Sequence, residues 1–339
     1  ACNIVSFYIY ENRDLNYKNL HKHLYSKIRE KTGLKSQTTQ SAIRFVIAKY
    51  KTILKKDEKW IKAVFKNPIC ELVYGREYYF TENNRVHIST MGIPLKLEYF
   101  SNGIEKILKD GKKLGTAKLQ YKKGKFYLLI PVFVDCEVTL IADVKNVVGI
   151  DRGIRNIAVT YDSDEKTHFY SGLEIRNKRN KYVTLRQELQ KKNTKSSKKR
   201  LKAINNREHL WMNDVNHCIT KKMVELYPAN TLFVLEDLSA IKDSKTPFTK
   251  KGKYSISSLA YADFERKLRY KATLHGQLVI NIDPHYTSQQ CPKCGFTAKN
   301  NRNHILHKFT CKKCGFSTND DRVAAMNIYE KGRNLRTLN

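Results

Sequence analysis

Four cysteines near the C-terminus are spaced as two metal-binding turns. Cys291 and Cys294 form CPKCGF, Cys311 and Cys314 form CKKCGF, and 16 residues separate the two pairs. Four thiolates brought together in this way make the closed tetrahedral shell of a structural zinc site. The alternatives are a redox dithiol or free buried cysteines, but a redox CxxC is normally single and opens a helix. The spacing therefore predicts a zinc ribbon that binds one Zn2+ and takes no part in catalysis.

Three acidic residues in separate segments could hold catalytic metal ions. Asp151 lies in a predicted strand, Glu236 near the end of the apolar strand TLFVLEDL, and Asp321 at the start of the predicted helix DRVAAMNI. Each residue alone has an ordinary explanation, such as a turn or a helix N-cap. A carboxylate in a buried strand is costly, however, unless it is paired or bound to a metal. Because two Mg2+ ions need several carboxylates from converging elements, the three together indicate a two-metal site.

A strongly basic segment lies between the first two acids. Residues 176–207 contain 13 Lys or Arg and one Glu, and a helical pattern continues from there to Pro228. The charge run predicts a surface that contacts the nucleic-acid backbone, and the alternative is a basic helix that faces only solvent. The residues singled out for this contact are Lys198, Lys199, Arg200 and Arg207.

The elements of the N-terminal part predict a β-barrel interrupted by helices. Residues 3–10, NIVSFYIY, are rich in β-branched and aromatic residues and predict a strand. Residues 21–56 have apolar residues at helical spacing, divided into two helices at Gly33. Residues 71–134 predict several further strands, with a hairpin at YKKGKFY. We therefore expect a small antiparallel barrel that begins with the first strand and contains inserted helices.

The C-terminal part predicts an α/β domain, because strands alternate with helices from about residue 144 onward. The strands include VVGID, THFYSG, TLFVLE and QLVINI, and a helix in YADFERKLRYKATLHG ends at Gly276. The polar stretch 239–258 predicts a flexible loop. Asp151, Glu236 and Asp321 would all be carried by this domain.

Charge limits the partners of the chain. Its 339 residues include 64 Lys+Arg and 32 Asp+Glu, a net charge of +32. A polyanion is the expected partner, either nucleic acid or an anionic membrane surface. Neither a basic amphipathic anchor nor a lipidation motif is visible, which favours nucleic acid. The sequence also shows no secretory signal and no long apolar run, so we expect an intracellular location without a membrane partner.

Taken together, these motifs resemble the TnpB family of transposon-encoded RNA-guided nucleases. The resemblance covers nearly the whole chain, and its most specific part is a zinc ribbon inserted between the second and third acidic motifs and preceded by YTSxxC. The matching motifs are GIDRGIRNIAV, LEDLSAI, PHYTSQQCPKCG, NDDRVAAMNI and the helix with Arg207, Trp211, Asn213, Asp214 and His217.

The resemblance implies an α+β multidomain fold. It combines a wedge β-barrel carrying an inserted helical recognition module, an RNase H-like (RuvC) nuclease domain and the four-cysteine zinc ribbon. The implied bounds are 1–14 for the first barrel strand, 15–66 for the helical insertion, 67–143 for the rest of the barrel, 144–284 for the nuclease domain, 285–317 for the zinc ribbon and 318–339 for the third acidic motif.

The resemblance also implies the roles of single residues. Asp151, Glu236 and Asp321 would form the metal-binding triad, and the pattern Asp-x-x-Ala-Ala-x-Asn-Ile selects Asp321 over its neighbour Asp320. One position departs from the family. Arg152 stands where relatives often have a hydrophobic residue, and in a strand its side chain would point opposite to that of Asp151.

The implied activity is RNA-guided cleavage of double-stranded DNA next to a short adjacent motif. Its partners would be target DNA and a noncoding guide RNA from the transposon end, and base pairing would supply sequence specificity. Its cofactors would be two catalytic Mg2+ ions and one structural Zn2+, and its location the cytoplasm of a prokaryotic cell, associated with the nucleoid. One Mg2+ would activate the attacking water and the other would stabilise the leaving 3′ oxygen.

Three alternatives stay open from the sequence. A compact type V CRISPR effector would share the same nuclease chemistry. A nuclease-silent RNA-guided repressor would carry substitutions among the three acids, all of which are present here. A zinc-ribbon DNA-binding protein without a guide would copurify with no defined RNA.

Overall fold

The structure is a computed structural model of the chain. It describes residues 1–56, 59–66, 69–101, 103–122, 124–137, 139–238 and 261–337, so the predicted loop at 239–258 lies outside the described residues. The chain divides into two compact units, Ala1–Asp135 and Cys136–Asn339.

Three helices begin the first unit: α1 (Cys2–Asn12), α2 (Tyr17–Thr32) and α3 (Ser36–Lys55). Gly33 ends α2 in the left-handed conformation, with φ of 66°, which confirms the predicted division between two helices. Apolar residues of α2 and α3 form a shared core that includes Leu20, Leu24, Ile28, Ile43, Val46 and Tyr50.

The prediction of a strand at residues 3–10 is wrong, because this segment is the helix α1. Val5 and Ile9 are one helical turn apart and both are fully buried in the core with α2 and α3. The Ser6 hydroxyl lies 2.9 Å from the Tyr50 hydroxyl of α3. Burial on one helical face thus outweighs the β propensity of the branched and aromatic residues. Residues 1–14 consequently belong with the helices and supply no barrel strand.

Six strands follow in the first unit and form two antiparallel sheets. One sheet has the order β1 (Ile69–Leu72), β5 (Ala117–Lys122), β6 (Lys125–Leu129), and the other is the meander β2 (Tyr78–Thr81), β3 (Arg85–Ile88), β4 (Leu95–Glu98). A short helix, α4 (Ile104–Lys109), lies between β4 and β5 in the chain. The β5–β6 pairing confirms the predicted hairpin. Within the described ranges no ladder joins the two sheets, so the closed barrel stays a prediction.

A five-stranded mixed sheet forms the centre of the second unit. Its order is β11 (Leu278–Ile282), β10 (Thr231–Glu236), β7 (Asn146–Asp151), β8 (Asn156–Asp162), β9 (Thr167–Ser171). β10 and β11 run parallel to β7, whereas β8 pairs antiparallel with both of its neighbours. This arrangement agrees with the α/β prediction and with the RNase H-like fold that the resemblance implies.

Helices cover both faces of this sheet. On one face α5 (Leu173–Lys192), α6 (Lys195–Leu226) and α7 (Tyr261–Leu274) bury Met212, Phe264 and Leu268 against the strands. On the other face α8 (Asp320–Thr337) buries Ile328. Thr194 caps α6 by accepting the Ser197 N–H at 3.1 Å. Every helix in the described part of the chain is too short or too polar to cross a membrane.

A small three-stranded sheet occupies the predicted zinc-ribbon region. It consists of β12 (Arg302–Asn303), β13 (Lys308–Thr310) and β14 (Ser317–Asn319), paired antiparallel in that order. Its last strand leads directly into α8.

Gly149 of β7 lets α8 lie close against the sheet. A Cβ atom at this position would be 2.2 Å from the carbonyl oxygen of Ala325 and 2.4 Å from the backbone nitrogen of Tyr329. Both contacts are with helix backbone, which cannot rotate away as a side chain could. α8 can therefore lie this close to β7 only because glycine has no side chain.

We expect Gly149→Ala to destabilise the second unit by about 3 kcal/mol, because overpacking forces α8 away from β7. Thermal or urea unfolding monitored by circular dichroism measures the change. Gly92→Ala is the control, since a Cβ there would have no atom within 4 Å and should leave stability within about 1 kcal/mol. Equal stability of Gly149→Ala and the unmodified protein would contradict the close contact.

Candidate functional site

Two of the predicted acids lie side by side at one edge of the central sheet. Asp151 is the last residue of β7 and Glu236 is the last residue of β10. The two strands are parallel, and Leu235 is paired with Ile150, so the acids stand one position further along the same register. Because parallel strands end at the same edge, the topology brings these two carboxylates together.

The third acid reaches this edge through α8. Asp321 lies in the first turn of α8, and Ala325, one turn later, lies over Gly149 of β7. The helix therefore crosses β7 with its first turn toward Asp151. Asp151, Glu236 and Asp321 line one cavity of about 780 Å³. The structure thus brings together three residues that are widely separated in the sequence.

The three carboxylates raise the cost of ionisation at the site. Burial, followed by the charges of Glu236 and Asp321, holds the pKa of Asp151 well above its usual range. Burial also raises the pKa of Glu236, and the Thr287 hydroxyl and Arg152 offset this only in part. A cluster of this kind is stabilised in its ionised form by a bound cation, so the donor set fits a divalent metal.

Neutral donors orient two of the acids. The Asn156 side-chain amide donates to Oδ2 of Asp321 at 2.9 Å, and the Thr287 hydroxyl donates to Oε1 of Glu236. Asn327 of α8 in turn donates to the carbonyl oxygen of Thr287 at 2.6 Å. These hydrogen bonds fix the direction of the carboxylates before any ligand binds.

Arg302 of the zinc ribbon distinguishes the two neighbouring aspartates. Its Nε donates to Oδ2 of Asp320 at 2.8 Å, and its Nη2 lies 3.5 Å from Oδ1 of Asp321. Asp320 is fully buried in this ion pair, whereas Asp321 borders the cavity. The geometry therefore favours the same aspartate that the family pattern selects, although its role as a metal ligand stays a prediction.

No pattern in the sequence distinguishes Asn156, Thr287 or Arg302 as residues of the site. Asn156 and Thr287 lie inside the motifs GIDRGIRN and PHYTS, which marked the region but not the side chains. Arg302 lies between the two cysteine pairs, in a segment without any motif. Its proximity to the acids could be found only from the fold.

The four predicted zinc ligands form a compact cluster. The Sγ atoms of Cys291, Cys294, Cys311 and Cys314 all lie within 4.8 Å of one another. The cluster therefore fits a zinc ribbon. Burial opposes ionisation of Cys311, but the N–H groups of Cys314 and Lys313, together with the thiols of Cys294 and Cys314, lower the pKa of the Cys311 thiol to about 6.

Two matching turns build the cluster. The Gly295 N–H donates to the Cys291 carbonyl at 2.9 Å, and the Gly315 N–H donates to the Cys311 carbonyl at 3.0 Å. Both glycines have positive φ, 73° and 72°, which explains why glycine follows each CxxC. Asn301 is buried between the turns, where its side chain donates to Gln289 and accepts from Lys312.

The basic residues predicted to bind nucleic acid all lie on α6. Their side chains are exposed: Lys198, Lys199, Arg200 and Arg207. Arg200 and Arg207 are seven residues apart and share one helical face. None of the four borders the acidic cavity, whose basic lining residues include Arg155 and Arg176 instead. Their contact with nucleic acid stays a prediction.

Two α6 residues that belong to the family-like motif contact lysines of α7. The Asn213 side chain accepts from the Lys267 ammonium of α7 at 2.7 Å. The His217 carbonyl accepts from the Lys271 ammonium, also of α7. These residues thus join α6 to α7.

Two family models match the second unit. Residues 132–244 match OrfB_IS605, described as a probable transposase. Residues 261–328 match the Cas12f1-like TNB domain. The two matched ranges contain all three acids of the cavity and all four clustered cysteines.

Two known proteins illustrate how similar the sequence is to relatives of these families. The chain is 27% identical over 210 residues to the CRISPR-associated endodeoxyribonuclease Cas12f1 of Syntrophomonas palmitatica, a match that covers 57% of this chain and 41% of the relative. It is 24% identical over 233 residues to the TnpB-like protein L79 of Acanthamoeba polyphaga mimivirus, covering 64% of this chain and 43% of that protein. The matched region thus spans less than half of either relative's length.

A solved structure has a similar fold. The Cas12f1-sgRNA-target DNA complex, determined by cryo-EM, superimposes with a TM-score of 0.56 at 15% sequence identity, over 96% of this chain and 82% of that one. This similarity concerns the fold alone. The transposase and TNB-domain matches and the TnpB-like relative support a relationship of this chain to the TnpB family.

Proposed function

We propose that the chain is an RNA-guided DNA endonuclease that hydrolyses both strands of guide-matched DNA next to a short adjacent motif. The observation that carries this proposal is the convergence of Asp151, Glu236 and Asp321 on one cavity. Its similarity to Cas12f1, named an endodeoxyribonuclease, and to the fold of a guide RNA–target DNA complex supports the same assignment. The partners would be a guide RNA and double-stranded target DNA, bound by a chain of charge +32.

The three acids would hold two Mg2+ ions. Hard cations prefer carboxylate oxygens, and Mg2+ needs only a few protein ligands because it keeps several waters. When bound, such ions activate water for attack on a phosphodiester and stabilise the leaving oxygen, which yields 5′-phosphate and 3′-hydroxyl ends. Asp151, which feels the charges of both Glu236 and Asp321, would hold the ions together with these two acids.

Other residues of the cavity would orient the acids and neutralise the charge of the DNA phosphates. Asn156 and Thr287 hold the carboxylates of Asp321 and Glu236 through the hydrogen bonds described above. Arg155 and Arg176 line the same cavity and would bind the phosphates that flank the scissile bond. Because the chain offers one such cavity among its described residues, the two DNA strands would be cut in turn.

The cysteine cluster would bind one Zn2+ with a structural role. All four ligands come from the protein, so the coordination shell is closed and offers no site for substrate. The zinc ribbon is also the segment that carries Arg302 to the acidic residues. Zinc would therefore support the nuclease site indirectly, by keeping this segment folded.

A compact type V CRISPR effector is the second candidate, favoured by the match to the Cas12f1-like TNB domain. The first candidate is a transposon-encoded nuclease, and the second belongs to a CRISPR system. Both would use the same cavity, and they differ in the origin of the guide RNA. Sequencing the RNA that copurifies with the protein separates them: RNA from a transposon end supports the first, RNA from a CRISPR array supports the second, and no defined RNA contradicts both.

Asp151→Ala should abolish cleavage of guide-matched DNA, because it removes one of the three carboxylates that would hold the metal ions. Guide-directed binding should persist, since base pairing does not depend on the metals. Cleavage and binding are measured on the same labelled DNA. Asp164→Ala, in the exposed turn after β8, is the control and should cut normally. Undiminished cleavage by Asp151→Ala, or by the unmodified protein in chelator, would show that the metal mechanism is wrong.

Replacing Lys198, Lys199, Arg200 or Arg207 singly by Gln should weaken nucleic-acid binding and reduce its salt dependence. Each lost phosphate contact lowers the slope of log affinity against log salt by about one. Lys221→Gln is the matched control, because Lys221 lies on the same helix but pairs with Glu225. If all four variants keep the slope of the unmodified protein, the basic face of α6 is a solvent-exposed surface and nothing more.

Metal analysis should find one zinc per chain, and Cys311→Ser should lose that zinc and lower the unfolding temperature. The reason is that a structural zinc site contributes its binding energy to folding. Cys218→Ser, at an exposed cysteine of α6, should retain both zinc and stability. Active protein with no zinc and four titratable thiols in the cluster would refute the assignment.

A further inference from the structure

Arg152 is a buried cation that the proposed chemistry leaves without a role. It follows Asp151 directly, borders the acidic cavity, and its side chain is only 2% exposed. A guanidinium stays charged in proteins, so its burial is costly unless its donors are satisfied by fixed acceptors. The identity of those acceptors therefore indicates what Arg152 does.

The Arg152 guanidinium joins the end of β10 to α7. Nη2 donates to the backbone carbonyl of Glu236 at 2.6 Å. Nη1 lies 3.4 Å from Oε2 of Glu265 and 3.4 Å from the carbonyl of Tyr261, both in α7. The group also lies over the Tyr261 ring, 5.6 Å from its centroid.

The α7 side of this contact is rigid. Glu265 accepts from Arg269 at 3.0 Å and from Asn281 at 2.9 Å. These donors outweigh burial and lower the pKa of Glu265, so it is ionised opposite Arg152. α7 itself is attached to α6 by Lys267, which is 1% exposed and donates to the Asn213 side chain of α6 at 2.7 Å.

The β10 side of the contact lies where the sheet ladder ends. The Asp237 N–H donates to Ile282 of β11 at 2.8 Å, so the preceding carbonyl, that of Glu236, faces the opposite neighbour, β7. The β7 ladder stops at the Leu235–Ile150 pair. The Arg152 side chain therefore supplies a donor to a carbonyl that lies beyond the end of the ladder between β7 and β10.

We propose that Arg152, held by Glu265, is a positioning residue for Glu236. It fixes the backbone of this acid, while Thr287 fixes its carboxylate. The inference rests on the proposed function, because it treats Glu236 as a ligand for a divalent metal. It also explains how an arginine is accommodated where the family resemblance leads one to expect a hydrophobic residue.

Binding of Mn2+ to the zinc-loaded full-length protein, followed by electron paramagnetic resonance, tests this proposal without measuring cleavage. Mn2+ that is bound by the unmodified protein but not by Asp151→Asn counts as bound at the acidic site. Arg152→Met should weaken this binding about tenfold, the usual effect of removing a group that orients a metal ligand. Arg152→Lys keeps the charge but loses the fork of donors, and should recover part of the affinity.

Arg266→Met is the control. Arg266 lies on the same helix as Glu265 but pairs with Asp263, and it touches neither Glu265 nor Glu236. Its removal should leave Mn2+ affinity unchanged, and thermal unfolding measures the stability of both variants. Equal loss of affinity in the two variants would reduce Arg152 to a general structural role and overturn the proposal.

The remaining outcomes are also decisive. Unchanged Mn2+ affinity in folded Arg152→Met overturns the positioning role. If that variant does not fold, Arg152→Lys and Glu265→Gln replace it in the test. Normal Mn2+ affinity in both of these variants likewise overturns the positioning role. If Glu236→Gln and Asp151→Asn bind Mn2+ as tightly as the unmodified protein, the metal site fails, which refutes the proposed function and not only this inference.

Discussion

The close contact between α8 and β7 at Gly149 is the constraint on which the acidic site depends. The helix backbone occupies the space that any side chain at this position would need. Because Asp321 lies one turn before Ala325, the same contact sets the distance of the third acid from Asp151. A helix displaced by even a methyl group would carry Asp321 with it. The packing of α8 against β7 therefore determines the geometry of the acidic site.

Bringing three carboxylates to one cavity has an electrostatic cost that the surrounding residues only partly offset. Asn156 and Thr287 donate hydrogen bonds, and Arg302 brings a positive charge. The pKa of Asp151 nevertheless stays well above its usual range, because burial and its two acidic neighbours outweigh the charge of Arg302 and the Arg152 N–H. The protein thus builds a site whose ionised form is completed by cations from outside the chain.

The zinc ribbon is attached to this site more closely than an inserted domain needs to be. Thr287, just before the first cysteine pair, contacts Glu236, and Arg302, between the pairs, contacts Asp320 and Asp321. Asn327 of α8 closes the connection by donating to the carbonyls of Thr287 and Gln290. Folding around the cysteine cluster and orientation of the acids are consequently coupled through short hydrogen bonds.

Local patterns in the sequence were sufficient for the cysteine cluster and for most elements of the second unit. Cysteine spacing is a local property, and so are the helix cap at Thr194 and the apolar run of β10. The same reasoning failed for α1, because its β-branched residues are equally suited to a strand, and only burial of Val5 and Ile9 against α2 and α3 decides for a helix. Local pattern also could not pair Asn156 with Asp321, 165 residues away, or Arg302 with Asp320. Such contacts arise from strand order and helix packing, which depend on the whole chain, so only the tertiary structure determined how the acids are held.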